Sequence, residues 1–250
     1  MIFNRNMFSI GLSLLGSKNN KYSTSEQIKK VIDVIDFGVN KVDTADSYAS
    51  TNSERYLSQI LDFRPDVLVT TKVGGFLSNL PIPINEILIN SRMYQKAQII
   101  RNGGYFDFNP KIKPLDLEKN LIKSLRRLGV EHVNCYLLHG VPSLNLIDDF
   151  VNQMLILKEK GLTSNVGISI EKRMDIDLSW CDEVLIPAHL LEFYELLNAK
   201  VSIHGLFRKE LRISENVGKR FLQLSSAGSV LMGSLNLNKY IEAEKILRHS

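Results

Sequence analysis

The stretch LEKNLIKSLRRLGVEHVNCYLLHG (Leu117–Gly140) runs from an amphipathic helix through a stop into an apolar strand. Asp116 precedes it with the chemistry of a helix cap, and Leu117, Leu121, Ile122, Leu125 and Leu128 form an apolar stripe at helical spacing. Gly129 stops the helix, and Val133–Leu138 (VNCYLL) is the strand. Helix, turn and apolar strand together make the repeating unit of a parallel α/β sheet.

The same unit recurs on both sides of this stretch. Upstream, Thr24 with Gln27 has the capping-box pattern, and a helix with Ile28, Val31, Ile32 and Ile35 on one face closes near Gly38. A short strand through Val42, a helix over Asn52–Leu61 and a strand over Val67–Thr71 (VLVTT) follow. Downstream come a helix over Leu146–Lys160 and strands at Asn165–Ser169, Val184–Ile186, Val201–Ile203 and Val230–Met232. Weaker helices lie at Leu190–Leu197, Glu215–Leu224 and Lys239–Leu247. With an opening strand near Phe8–Leu12 the count is eight, the number that closes a (β/α)8 TIM barrel, and 250 residues suit such a barrel as one domain over residues 1–250. One segment, about 73–113, is too long for an ordinary connection and reads as a functional loop insertion. It carries Phe76, Tyr105, Phe106, Phe108 and the Gly103–Gly104 pair.

Composition excludes several classes. With 44% hydrophobic and 23% charged residues the chain can bury a large core without disulfides or metal. Cys135 and Cys181 sit in apolar runs and read as buried free thiols of a reducing compartment. The net charge of +4 is scattered rather than massed, which argues against nucleic acid and suits a small anionic ligand. Met7–Gly16 lacks the apolar core and cleavage site of a signal peptide, and no run approaches the ~18 apolar residues of a membrane span. A cytoplasmic protein is expected. The five histidines show no ligand spacing with carboxylates, so no metal site is expected.

Catalytic groups in such barrels lie at the C-terminal strand ends. Asp43, Lys72 and His139 end three successive strands, Ser169, His204 and Ser234 end or follow later ones, and Tyr48 lies five residues past Asp43. Burying a charge directly after an apolar strand is costly unless the charge is paired or used. Lys72 and Asp43 on neighbouring strands can pair, and the ammonium is expected to pull the phenol of Tyr48 below its usual value near 10. His139 can orient a substrate oxygen. Singly, Asp43 also reads as a turn cap, Lys72 as a solvated strand end, His139 as a loop histidine and Tyr48 as a packing aromatic. As a set they form a site that protonates an oxygen on which negative charge develops.

At this point the chain resembles a known family. GVNKVDTADSY (Gly38–Tyr48) with Ser53–Glu54, VLVTTKVG, and the Leu117–Gly140 stretch are similar to aldo-keto reductases of a compact bacterial type; KGLTSNVGIS, VLIPAHLLE and VLMGSLNLNKYIEA extend the likeness more weakly. The resemblance implies a catalytic tetrad of Asp43, Tyr48, Lys72 and His139, with Tyr48 as the acid. It implies a nicotinamide cofactor, NADPH with NADH as the alternative, and a small carbonyl substrate, sugar-derived by analogy with compact members. Ser169 matches a carboxamide contact, but Ile170 and Leu185 replace the amide side chains of the family pattern. Gly205, Phe207, Arg208, Gly233, Ser234, Lys239 and Glu242 are the further cofactor positions, with Lys209 a possible pyrophosphate partner. Little follows Leu247, so segment 73–113 is expected to wall the substrate pocket. Two other readings stand beside this one: a Schiff-base lyase using Lys72, and a nucleotide-binding barrel with a regulatory role and lost turnover, motivated by Ile170 and Leu185.

Overall fold

A computed structural model of the chain describes residues 5–17, 21–75, 108–194, 197–207, 215–224 and 227–249. Eight parallel strands close into a barrel in sequence order: β1 (Phe8–Gly11), β2 (Lys41–Asp43), β3 (Leu68–Val73), β4 (Val133–His139), β5 (Thr163–Ser169), β6 (Glu183–Pro187), β7 (Lys200–His204) and β8 (Ala227–Met232). The described α-helices are α1 (Thr24–Asp36), α2 (Asn52–Leu61), α3 (Asp116–Leu128), α4 (Ile147–Glu159), α5 (Leu191–Tyr194), α6 (Glu215–Gln223) and α7 (Leu237–His249). The (β/α)8 architecture expected from the alternation is therefore the observed one.

Helix α3 shows how the sequence builds it. Leu117, Leu121, Leu125 and Leu128 are all buried, each contributing roughly 1.5–3 kcal/mol. Gly129 caps the helix at φ 71°, a left-handed backbone open to glycine. Asp116 is its first helical residue rather than its cap, and its carboxylate accepts the Lys113 N–H at 2.9 Å. Helix α1 also differs by one residue. Its cap is Ser23, whose capping box is completed by Glu26, because Gln27 is buried and committed to the Gly16 N–H (2.8 Å) and the Tyr22 carbonyl (2.8 Å). Of the weak helix at 190–197, the described residues show a 3₁₀ turn at Ala188–Leu190 followed by the short helix α5.

Strand alternation sorts the side chains. Pairs such as Asp43↔Thr70, Lys72↔Leu137, His139↔Ser169, Ser169↔Leu185, Leu185↔Ser202 and His204↔Leu231 share the inner face. Their odd neighbours pack outward against the helices; Ile170, just past β5, belongs to that outer core. Inside the barrel, Cys135, Leu137 and Leu185 cluster with Leu231. A polar chain also fills the interior: Ser9 and Ser229 hydroxyls are 3.0 Å apart, Ser202 and Ser229 3.3 Å apart, and Ser202 donates to Glu183 at 2.6 Å. Both cysteines are buried free thiols.

Most of the expected insertion at 73–113, including Phe76, the Gly103–Gly104 pair, Tyr105 and Phe106, lies outside the described residues. Phe108 turns into the core, edge-on to Phe150 at 5.0 Å, and so does not stack on a ligand.

Candidate active site

Three strands carry the first groups of the site to the barrel mouth. Asp43 closes β2, Lys72 is the penultimate residue of β3, one short of the strand end, and His139 closes β4. All three are at most 5% exposed. Tyr48 arrives on the loop after β2, which is held because it continues the ladder to β3: Thr44 N–H donates to Thr70 O (2.9 Å) and Asp46 N–H to Lys72 O (3.2 Å). Beyond Tyr48 the chain turns sharply, with Ala49 at φ 47° and Thr51 at φ 75°, an uncommon conformation for side-chain-bearing residues. Two anchors hold that turn. Ser53 donates to Leu12 O at 2.9 Å and sits 2.8 Å from the Thr44 hydroxyl. Glu54, fully buried, accepts from Thr71 (2.7 Å) and from Arg127 (2.5 Å), so the SE pair after Tyr48 and the RLG end of α3 meet in one ion pair.

The four side chains converge. Lys72 Nζ donates to Asp43 Oδ1, to the Thr44 carbonyl at 3.1 Å and to the Tyr48 hydroxyl at 3.3 Å. The rings of Tyr48 and His139 meet edge-on at 5.7 Å. After β3 the chain passes directly over the site: a Cβ on Gly75 would come within 2.2 Å of Ser47 Oγ and 3.0 Å of His139 Nδ1. Only glycine permits this approach.

Electrostatics assigns protonation states. Burial alone would lower Lys72, but the charges of Asp43 and Tyr48 outweigh it and hold the ammonium above its ordinary value. Burial pushes the Asp43 carboxyl up while Lys72 pulls it back. The pair is an ammonium–carboxylate couple. Tyr48 differs from expectation: burial, joined by the charges of Asp43 and Glu171, outweighs the pull of Lys72, so its phenol lies above 10 rather than below. Burial, then Lys72 and His204, push His139 down to about 3, so its imidazole is neutral. Asp46 is pushed up to about 8, first by burial and then by Glu54.

The expected cofactor positions divide. Ser169 is buried at the end of β5, beside His139 in the register. Gly205 follows β7 at φ 77° and Phe207 is 36% exposed. Among the described residues Gly233 has open space where a Cβ would stand, and Ser234 lies just before α7, its hydroxyl accepting the Asn236 N–H at 3.2 Å. Lys239 and Glu242 are exposed and paired to each other at 2.8 Å. Arg208 and Lys209 lie outside the described residues. Ile170 is buried in the outer core and Leu185 inside the barrel, so neither offers a polar group at the mouth.

Two groups at the mouth escaped the sequence reading. Glu171, two residues past Ser169, reaches His204 at the end of β7: Oε1 lies 3.2 Å from Nε2. Its signal was the one that found Asp43, a charge just beyond an apolar strand. Asp46 was the other, hidden inside a motif read for its neighbours. Among the described residues no cluster of metal-ligating side chains forms, and no helix is long and apolar enough to cross a membrane.

The aldo/keto reductase family model matches residues 8–202, and the chain belongs to that family. An uncharacterized oxidoreductase of Schizosaccharomyces pombe is 25% identical over 166 residues, 66% of this chain and 45% of the relative. The chain spans less than half the length of the curated relatives it matches. Among solved structures, a putative aldo-keto reductase of Pseudomonas aeruginosa superposes with a TM-score of 0.70 at 14% identity, covering 97% of this chain and 89% of that one. An aldo-keto reductase of Klebsiella pneumoniae in complex with NADPH gives a TM-score of 0.61 at 16% identity, covering 97% and 85%.

Proposed function

We propose that the chain is an oxidoreductase that reduces an aldehyde or ketone to an alcohol with a nicotinamide cofactor, Tyr48 supplying the proton. The observation that carries this reading is the contact of the Tyr48 hydroxyl with Lys72 Nζ at 3.3 Å, with Lys72 in turn bound to Asp43. A phenol held above 10 stays protonated at working pH, yet it is a far stronger acid than an alcohol, so it gives its proton readily to a nascent alkoxide. The phenolate then formed lies beside a buried ammonium. At 3.3 Å and an effective dielectric of about 20 that attraction is about 5 kcal/mol, on the order of what a general acid contributes. His139, neutral, donates its N–H to the carbonyl oxygen and orients it.

The cofactor supplies the hydride. The described residues fit it: Ser169 is at the mouth, and open space lies over Gly233 beside Ser234, just before α7, where backbone N–H groups and the helix dipole favour phosphate. Lys239 favours a 2′-phosphate and hence NADPH over NADH. The state of Lys72 disfavours the Schiff-base reading, since that chemistry needs a neutral amine and Lys72 is held as an ammonium.

Mixing the chain with NADPH and a panel of aldehydes, ketones and reducing sugars, and following loss of the reduced nicotinamide absorbance, tests the proposal. Turnover with at least one carbonyl is expected, falling by a factor of about 10² or more in Tyr48→Phe. Turnover unchanged in that variant removes Tyr48 from the chemistry.

A further inference from the structure

Asp46 is buried behind the tetrad, and both cations near it are committed to other groups. It is the second residue of the turn that presents Tyr48, which closes with the Tyr48 N–H on Ala45 O at 3.1 Å. Its own N–H holds Lys72 O at 3.2 Å, so one residue ties that turn to the strand whose ammonium meets the Tyr48 hydroxyl. The groups that face its carboxyl are Glu54 of α2, Arg127 of α3, Lys72 of β3 and Tyr136 of β4. The three protons of the Lys72 ammonium go to Asp43, the Thr44 carbonyl and Tyr48. The Arg127 guanidinium binds Glu54 and Ser124. Among the described residues, Asp46 Oδ1 and the Tyr136 hydroxyl are buried without a hydrogen-bond partner. A buried carboxylate with a bare oxygen and no cation is costly, and a second carboxylate beside it raises the cost. A proton on Asp46 removes the charge and gives the side chain a donor, in keeping with the upward push to about 8 by burial and then by Glu54.

We infer that Asp46 is a positioning residue that holds Tyr48 against Lys72 only as the neutral acid, so that its ionisation loosens the turn and switches the site off at alkaline pH. This rests on the carbonyl-reduction reading above. Ionised, Asp46 and Glu54 are two negative charges with one guanidinium between them, and the way out for Asp46 is toward water. The turn moves with it, because Asp46 carries the backbone bond to Lys72, and the 3.3 Å contact of Tyr48 with the ammonium lengthens. Lys72 and Tyr48 are held above their ordinary values and His139 at about 3, so none of these three changes charge near pH 8.

The test compares the full chain with Asp46→Asn, which keeps the shape and a donor while removing the charge, and with Asp46→Ala, which removes both. Two quantities are followed: kcat for carbonyl reduction at saturating NADPH against pH, and the infrared C=O band of a neutral carboxylic acid in the protein without ligand. In the unaltered chain kcat is expected to fall about tenfold for each pH unit above about 8, the slope of one ionisation. Asp46→Asn is about twofold to threefold slower at neutral pH but stays level to about pH 10, and Asp46→Ala is about tenfold slower throughout. The unaltered chain minus Asp46→Asn shows the acid band at about pH 7 and loses it by about pH 9. The same alkaline fall in Asp46→Asn, or no acid band at neutral pH, overturns this inference and leaves the proposed function standing. Absence of turnover in the unaltered chain with every carbonyl tried overturns the proposed function, and the positioning role with it.

Discussion

Replacing Lys72 with methionine isolates the interaction that organises the site. Methionine fills the aliphatic stem, so little cavity opens and the change is almost purely electrostatic. Lys72 is 1% exposed, and its ammonium satisfies Asp43, the Thr44 carbonyl and the Tyr48 hydroxyl. Removing one partner of a buried ion pair costs about 3–5 kcal/mol, a large part of the roughly 5–15 kcal/mol that holds a domain folded. The pH dependence identifies the cause. Without Lys72 the forces remaining on Asp43 are led by burial, which raises its folded-state pKa above the ordinary 3.8. A raised carboxyl means the folded state holds the extra proton, so the variant loses stability as pH rises from about 4 through the folded-state value and recovers it on acidification. Urea unfolding of the unaltered chain, Lys72→Met and Lys72→Met/Asp43→Asn at about pH 5 and about pH 8 measures this. The single variant is expected to lose about 4 kcal/mol at the higher pH and less at the lower, and the double variant to regain about 2 kcal/mol of it. A deficit independent of pH, or a double variant no better than the single, refutes the claim that an uncompensated Asp43 charge is the cause.

Three other outcomes follow from the geometry. His139 is pushed down to about 3 from an unfolded value near 6.5, so the folded chain loses stability as pH falls through that window by about 1.4 kcal/mol per unit; His139→Gln removes the slope, and parallel urea curves for the two proteins would contradict it. Arg127→Met leaves the fully buried Glu54 without its cation and costs about 3 kcal/mol in thermal or urea unfolding, whereas a surface pair such as Lys160–Glu118 costs under about 1 kcal/mol when broken. Gly75→Ala places a methyl within 2.2 Å of Ser47 Oγ and 2.7 Å of Ser47 Cβ; the hydroxyl can turn away but the Cβ cannot, so the chain over the site must shift, stability falls by about 1–3 kcal/mol and kcat falls about tenfold or more, and a variant with unaltered kcat would show that the crossing is incidental.

The barrel was legible in the sequence because its signals are local. The stripe of α3, the stop at Gly129 and the apolar run into His139 each follow from the conformational preference of a few neighbouring residues, and each stands in the structure. Boundaries slipped by a residue where a side chain had a distant use. Gln27 left the capping box to Glu26 because Gly16 and Tyr22 hold it, and those contacts come from the preceding loop. That Asp43, Lys72 and His139 stand together was legible for the same local reason, as polar groups set at the ends of apolar strands, whereas the place of Tyr48 depends on the turn that follows β2.

What sequence alone determined, then, is the alternation of strands and helices and the identity of the polar groups lifted to one rim, since both depend on short-range order. Tertiary structure decided the rest. Whether Tyr48 is made more or less acidic depends on how much water the closed barrel excludes relative to the pull of one ammonium, and exclusion wins. That Glu54 meets Arg127, and that Glu171 meets His204, depends on strands and helices far apart in the chain arriving side by side. Charge interactions are long-ranged and scale with local dielectric, and neither separation nor burial is written in the order of residues.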